Sequence, residues 1–375
     1  MKFSVVSNDL HKALSKIISV VPSKSTLPIL ENVLFELTGN DLRMTASDLE
    51  LSMTVVLQVQ GEQDGRIAIP AKKLNETLRA LSNVDVFVAA DDSTSRIVIK
   101  TDHGEYKMAG ENATHFPEAE RLEEEFSLQL NADLLRNIIT YSVYAVSNDD
   151  LRPSMMGVLF QWKERKFFAV ATDGHRLVRI RHEGALSEAH AENDRDVIIP
   201  AKALNIVGKF LSEGDVRIVF GRSNVRISFG EMTLLSRIID ERYPNYESVI
   251  PQENDKELTV NRAALIAAVQ RCSIFSNVIT NQIRFSVSKT EVRVSAEDVD
   301  FGGEARESVP ASFSVDDELE IGFNARYMSE ALQHLDTQEV TFYFSAPGRA
   351  GLIRPIRDDA DLDILMLVMP LRLNA

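Results

Sequence analysis

The chain has 375 residues and a formal net charge of −15, with 44% apolar and 26% charged residues. That length is more than one ordinary hydrophobic core absorbs and predicts two or three domains of soluble, globular type. The acid excess excludes a uniformly basic coat for nucleic acid, and the lone Cys272 excludes an intrachain disulfide and any cysteine-cluster metal site, which suits a reducing cytoplasm.

The opening MKFSVVSNDLHKALSKII is interrupted by Asp9, Lys12 and Lys16, so it predicts no secretory leader. No run of about 18 apolar residues follows, and no transmembrane helix is expected. Residues 2–18 instead read as a strand leading into a helix. An alternating strand, LRMTASDLE (42–50), comes next. RIAIPAKKLNETLRAL (66–81) is a second strand-to-helix unit, and VDVFVAA and RIVIK alternate at strand period behind it.

The same order then returns. EFSLQLNADLLRNIIT (125–140) opens, FFAVATDGHR (167–176) follows, VIIPAKALNIVGKFL (197–211) closes, and VRIVF and VRISF trail it. It returns again with ELTVNRAALIAAVQR (257–271), VRVSAEDVD (292–300), LEIGFNARYMSEALQHL (319–335), VTFYF and LIR. Asp48, Asp173 and Asp298 end the Ala-x-Asp steps at intervals of 125 residues; Pro70 and Pro200, in the shared Ile-Pro-Ala-Lys, lie 130 apart. Any α+β chain shows some echo, but three pattern types in one order and phase indicate a threefold repeat. Domains are expected at 1–124, 125–254 and 255–375, with polar joints at RLEEEF (121–126) and PQENDKEL (251–258).

Six short helices result, two per third. Their Lys and Arg exceed their Asp and Glu by seven, leaving −22 for the rest of a −15 chain. Mixed charge is usual on exposed helix faces; here every helix is neutral or positive. Helices sharing one side of an assembly would make a cationic surface that attracts phosphate backbone without reading bases. No zinc finger, RNP aromatic set or basic zipper accompanies it.

The segments MKF, TLPILENVLFEL (26–37), TDGHRL (172–177), RYPNYESVIP (242–251), IGFNARY (321–327) and VMPLRL (368–373), with the threefold period, closely resemble the bacterial DNA polymerase III beta subunit family, the sliding clamps. The similarity runs along essentially the whole chain. It implies an α+β fold of three DNA-clamp domains, with antiparallel sheets outside and two helices per domain facing a central pore. It implies a ring-shaped, head-to-tail homodimer, consistent with closure of a heterologous interface after two subunits. Double-stranded DNA would be encircled without sequence preference. The partners would be the polymerase III alpha subunit, the clamp loader, other polymerases, ligase and mismatch-repair proteins, docked through short peptides. No cofactor, metal or catalytic residue is implied.

Carried over by motif, the peptide pocket comprises Met155, Thr172, Gly174, His175, Arg176, Leu177, Pro244, Val249, Asn324, Tyr327, Val368, Met369, Pro370, Leu371 and Arg372. Apolar troughs anchor linear peptides, and methionine suits varied partners. Leu177 and Val368, taken singly, also fit an ordinary contact between domains. Ser248 stands where some members carry Arg, and Asn374 and Ala375 extend past the usual end. The DNA-facing candidates are Lys12, Lys16, Lys24, Lys72, Lys73, Arg79, Arg136, Asn148, Lys202, Lys209, Arg262 and Arg271, with Lys24 and Asn148 in loops. The dimer seam is expected to join Tyr106 and Met108 to Ile274 and Phe275, with Lys107 free to pair with Glu304 and Glu307.

Two other readings remain open from the residues alone. A hydrolase could centre on Asp173 and His175, since a His beside an acid can serve as a general base; no Gly-x-Ser-x-Gly, phosphate loop or His-Glu-x-x-His supports it. A scaffold could dock peptides without encircling DNA.

Overall fold

A computed structural model describes residues 1–118, 122–183, 194–298, 301–357 and 362–373. The end of the expected 292–300 segment, the start of the 121–126 joint and the Asn374–Ala375 extension lie outside the described residues. The chain forms two compact units, Met1–Leu135 with Asn205–Ile238, and Arg136–Leu204 with Ile239–Ala375. The middle third of the chain contributes to both.

In the first unit, β1 (Lys2–Val6), β5 (Gln60–Gln63), β7 (Asp85–Asp91), β8 (Arg96–Thr101) and β9 (Gly104–Ala109) form a five-stranded sheet in the order β5-β1-β7-β8-β9. An eight-stranded sheet runs β10-β15-β16-β17-β4-β3-β2-β6. Its members are β2 (Asn32–Thr38), β3 (Asp41–Ser47), β4 (Leu51–Gln58), β6 (Gly65–Pro70), β10 (Phe126–Asn131), β15 (Asp215–Phe220), β16 (Asn224–Phe229) and β17 (Met232–Arg237). Helix α1 (Ser7–Ile17) buries Leu10, Ala13, Leu14 and Ile17, a spacing that leaves one apolar stripe, and packs on α2 (Ala71–Ala80) and β4. α2 buries Ala71, Leu74 and Leu78 in the same way.

The second unit holds a twelve-stranded sheet, β14-β11-β12-β13-β25-β24-β23-β18-β21-β20-β19-β22. Its strands are β11 (Gly157–Lys163), β12 (Lys166–Thr172), β13 (Arg176–His182), β14 (Arg195–Pro200), β18 (Lys256–Asn261), β19 (Gln282–Val287), β20 (Glu291–Asp298), β21 (Gly303–Phe313), β22 (Leu319–Asn324), β23 (Glu339–Phe344), β24 (Gly351–Pro355) and β25 (Leu362–Val368). α5 (Arg262–Ser273) buries Leu265, Ala268, Val269 and Cys272, with the Asn261 side chain accepting from Ala264 N. It packs on β20, β21 and α6 (Ala325–Gln333), which the Asn324 side chain caps by accepting from Arg326 N and Tyr327 N. α3 (Ala132–Ser142) and α4 (Ala201–Phe210) complete the helices of the described residues and lie at the division between the units.

The expected repeat is present. Strand, helix, three strands, strand, helix, three strands recurs three times, the first copy carrying β5 as an extra. Successive copies join by antiparallel strand pairing: β17 lies on β4, with Leu234 opposite Met53, and β25 lies on β13, with Ile364 opposite Ile180. In each case the last strand of one copy meets the fourth strand of the copy before it. By that rule two edges are left over. Among the described residues β9 has a strand on one side only, and residues 303–308 of β21 pair with β20 alone.

Candidate peptide-docking, DNA-facing and seam sites

The Thr172–Leu177 turn is built locally. The Asp173 carboxylate accepts the backbone N–H of His175 at 2.9 Å and of Arg176 at 3.0 Å, and the Thr172 hydroxyl accepts from Gly174 N at 3.1 Å. Gly174 sits at φ +90°, where a side chain would be strained. The turn points Arg176 back into the protein. Its Nε donates to Asp173 (3.1 Å) and its Nη2 to Tyr144 O (2.6 Å), while Nη1 pairs with Glu330. The guanidinium carbon lies 5.1 Å and 4.9 Å from the ring centroids of Tyr144 and Tyr327. Burial alone would raise the Glu330 carboxyl; hydrogen bonds from Arg326 and Arg176 outweigh it and hold the group below the usual glutamate value. Burial pushes the Tyr144 hydroxyl strongly upward. Asp173 therefore serves the turn and Arg176, and its bond to His175 is to the backbone, so it does not orient the imidazole as a general base.

The strands that flank this turn carry an apolar cluster on one face of the twelve-stranded sheet. Leu159, Val170, Leu177, Ile198, Leu352, Leu365 and Leu367 pack with Ala350, Tyr243, Tyr246 and Ile250. Register explains the set, since Leu177 and Leu367 are opposite partners and Leu352 lies opposite Leu367 on the next strand. Tyr243 donates to Val170 O (3.2 Å) and Tyr246 to Gln161 Oε1 (2.7 Å), and Lys163 holds Glu247 at 2.8 Å. These bonds fix the short turn Tyr246–Val249, which leaves Val249 52% exposed over the cluster's side of the chain. Met369 is 42% exposed and Pro244 and Met155 are half-buried. The tail is tied down twice, by Met369 N donating to His175 O and by Leu371 pairing with Gly322, where a Cβ would lie 2.7 Å from Leu371 O. Leu371 is half-buried and Pro370 likewise, whereas Arg372 is exposed.

The pocket candidates thus divide. Thr172, Gly174, His175, Leu177, Pro244, Val249, Met369 and Met155 lie in the turn, the cluster or the exposed segments beside it. Arg176 and Val368, paired with each other in register, are buried on the opposite face from Leu177 and Leu367. Asn324 is a helix cap and Tyr327 stacks on Arg176 and lies 5.9 Å from the His175 ring. Leu367, Leu365, Leu352, Tyr243, Tyr246 and Ile250 were not anticipated. β25 reads Leu-Asp-Ile-Leu-Met-Leu-Val, apolar on both faces, so alternation could not choose Leu367 over Val368. Ser248 is exposed and its hydroxyl donates to Asn245 O within the turn.

The expected DNA-facing residues also divide. Lys12, Lys24, Lys72, Lys73, Arg79, Asn148, Lys202 and Lys209 are exposed and Lys16 and Arg136 half-buried. Lys12 sits 3.9 Å from Asp9. Arg262 donates to Thr337 O (2.7 Å) and Leu332 O (3.2 Å), fastening the end of α6. Arg271 makes a two-bond pair with Glu307 at 2.7 and 2.6 Å, which lowers the glutamate's pKa. At the expected seam, Ile274 and Phe275 are 78% and 44% exposed and Tyr106 39% exposed. Met108 is buried in its own sheet opposite Ile97, which corrects its assignment to an accessible face. Glu304 pairs with Arg306, Glu307 with Arg271 and Lys107 with Glu105 inside the chain. Val278, Ile279 and Phe301 are further exposed apolar side chains that sequence reading missed.

Among the described residues no group of three or more His, Cys, Asp or Glu could hold a metal ion, and no helix is long and apolar enough to cross a membrane. The fold and these sites define a non-catalytic docking protein built from three copies of one unit. Three family models match the chain: DNA polymerase III beta subunit, N-terminal domain (residues 1–120), central domain (129–245) and C-terminal domain (247–372). The beta sliding clamps of Synechococcus elongatus and Pseudomonas aeruginosa are each 30% identical to it, over 385 and 377 residues, with all of both chains covered. A crystal structure of the P. aeruginosa sliding clamp bound to griselimycin superposes with a TM-score of 0.93 at 29% identity, and the Bacillus subtilis clamp at 0.92 and 26%, each over the whole of both chains. The chain belongs to the DNA polymerase III beta subunit family, the bacterial sliding clamps.

Proposed function

We infer that this chain is a replicative sliding clamp: a non-catalytic processivity factor that encircles duplex DNA as a head-to-tail homodimer and tethers the polymerase III alpha subunit, the clamp loader and other replication and repair proteins through short peptides. The observation that carries this reading is the pair of left-over strand edges. Each internal seam joins the last strand of one copy to the fourth strand of another. A second subunit supplies the missing partner when its β9 meets residues 303–308 of β21, and symmetry fills the other edge. Exposed strand edges invite such pairing. Ile274 and Phe275 at the end of α5 reach this edge, since Gly303 lies beside the Phe275 ring, and Tyr106 would approach from β9.

The three domains run 1–124, 125–254 and 255–375, and the protein acts in the cytoplasm. Lys12, Lys16, Lys24, Lys72, Lys73, Arg79, Lys202 and Lys209 face DNA; the contacts are weak because a ring holds its track by topology. Partner peptides place apolar side chains over Leu177, Leu367, Pro244, Val249 and Met369.

Loading onto a nicked circular plasmid by a cognate loader, followed by linearisation, tests the ring. Retention on the circle and loss within minutes from the linear DNA is the expected result. A protein that stays on linear DNA, or never stays on the circle, would instead be a scaffold that docks peptides without encircling DNA.

A further inference from the structure

The face that carries the apolar cluster does not end with it. Along β13, Leu177, Arg179 and Arg181 project to one side at alternate positions; along β25, Leu367, Leu365 and Asp363 do the same, and along β24, Leu352 and Arg354. One end of these three strands is therefore leucine and the other arginine. The arginine end is a cavity of about 360 Å³ lined by Arg179, Arg181, Arg354, Arg357 and Asp363 over Leu362, Ile364 and Pro355.

Its charges do not balance. Four guanidinium groups line the cavity, and Asp363 is the one carboxylate among the described lining residues. Asp363 already takes Arg354 at one oxygen, with Arg179 at 3.6 Å and Arg181 at 3.7 Å from the other. The remaining acids at hand are peripheral: Glu183, 3.5 Å from Arg181, and Asp336, 3.7 Å from Arg357, both largely exposed. Arg357 also donates to the Tyr141 hydroxyl at 3.0 Å. The Nε atoms of Arg179 and Arg181 are buried without a hydrogen-bond partner. Burial of such groups next to like charge lowers the Arg179 pKa. A buried, unpaired guanidinium N–H is costly, and an arriving carboxylate that accepts from two of them relieves that cost.

We propose that Arg179, Arg181, Arg354 and Arg357 form an anion-binding extension of the peptide trough that reads acidic side chains in a docked segment, about four residues from its apolar anchor. The spacing comes from the strand: Leu177 to Arg181 is four residues, or about 13 Å, which an extended peptide on the same face spans with four residues of its own. The inference rests on the trough being a peptide site; it adds which peptides that site prefers.

The test is selection of random twelve-residue peptides on the folded full-length protein, run in parallel on the R179Q/R181Q variant. Those two arginines lie outside the trough, and Arg354 keeps Asp363 in both proteins. The expected result on the wild type is peptides with apolar anchors and enriched Asp or Glu about four positions away, on one side. On R179Q/R181Q the anchors persist, the acidic enrichment disappears, and the acidic winners bind roughly tenfold more weakly at low salt. R179K/R181K, which keeps charge but not the planar fork, retains part of the preference. Apolar anchors with no acidic preference on the wild type would overturn the proposal while leaving the trough intact; absence of apolar anchors would overturn the trough itself. Preference that appears only in a D358N/D359N/D361N variant would assign the cavity to those neighbouring aspartates of the chain and would also overturn it.

Discussion

Replacing Arg176 by alanine tests how the second unit is held together. The side chain is 9% exposed and joins three elements: the turn through Asp173, the backbone at Tyr144, and α6 through Glu330. It also lies between two tyrosine rings. Removing one member of a buried pair costs about 3–5 kcal/mol, because the partner is left charged and unpaired. The lower end applies here. Asp173 keeps its two backbone N–H donors, and Glu330 keeps Arg326 at 2.9 Å and is 24% exposed. A loss of about 3 kcal/mol in a unit of this size lowers its melting temperature by about 6–12 °C. Thermal melts of R176A and R176A/E330Q, with E330Q alone, complete a cycle in which the double variant should be less destabilised than the sum of the two. A shift of R176A below about 2 °C, or strict additivity, would refute the reasoning. If Arg176 were instead a peptide-contact residue on an open rim, R176A would weaken partner binding while melting like the parent.

Glu330 gives a pH signature of the same lock. Its folded pKa is depressed below 4.5, so its stabilisation is complete above 4.5 and is lost as pH falls through the lower folded value; melts between pH 3 and 6 should show E330Q with a flatter acid limb than the parent. V249D/M369D alters two exposed side chains, so the melting temperature should stay within about 1 °C while polymerase stimulation in primer extension falls at least tenfold; undiminished processive synthesis would remove the trough assignment. I274A/F275A should give folded monomers by sedimentation velocity, since the side chains are largely exposed within one chain; an unchanged dimer would place the seam elsewhere.

Much of this was legible in the sequence because it is local. The strand-to-helix units, the threefold order and the Asp173–Gly174 turn depend on periodicity and on residues a few positions apart. What was lost depends on pairing between distant strands. Val368 and Leu367 could not be told apart in a strand buried on both faces. Met108 alternates into its own core because β9 lies on β8, a fact of register. Arg179 and Arg181 are separated from Arg354 and Arg357 by more than 170 positions and meet only because β25 lies between β13 and β24. Arg262 and Arg271 looked like free helix cations, yet one fastens α6 and the other pairs with β21.

Those two arginines sharpen the electrostatic picture. With Arg262 and Arg271 engaged inside the chain, the third repeat offers fewer free cations on its helices than the first, where Lys72, Lys73 and Arg79 all lie exposed on α2. The binding of duplex to a surface made this way is uneven around the track, and each phosphate released from contact changes the salt dependence by about one counterion. Uneven, replaceable contact suits a protein whose hold on DNA comes from closure. Strong contact would slow its movement, and specificity is needed only on the opposite, peptide-binding business of the molecule, where apolar burial and the arginine cavity can discriminate between partners.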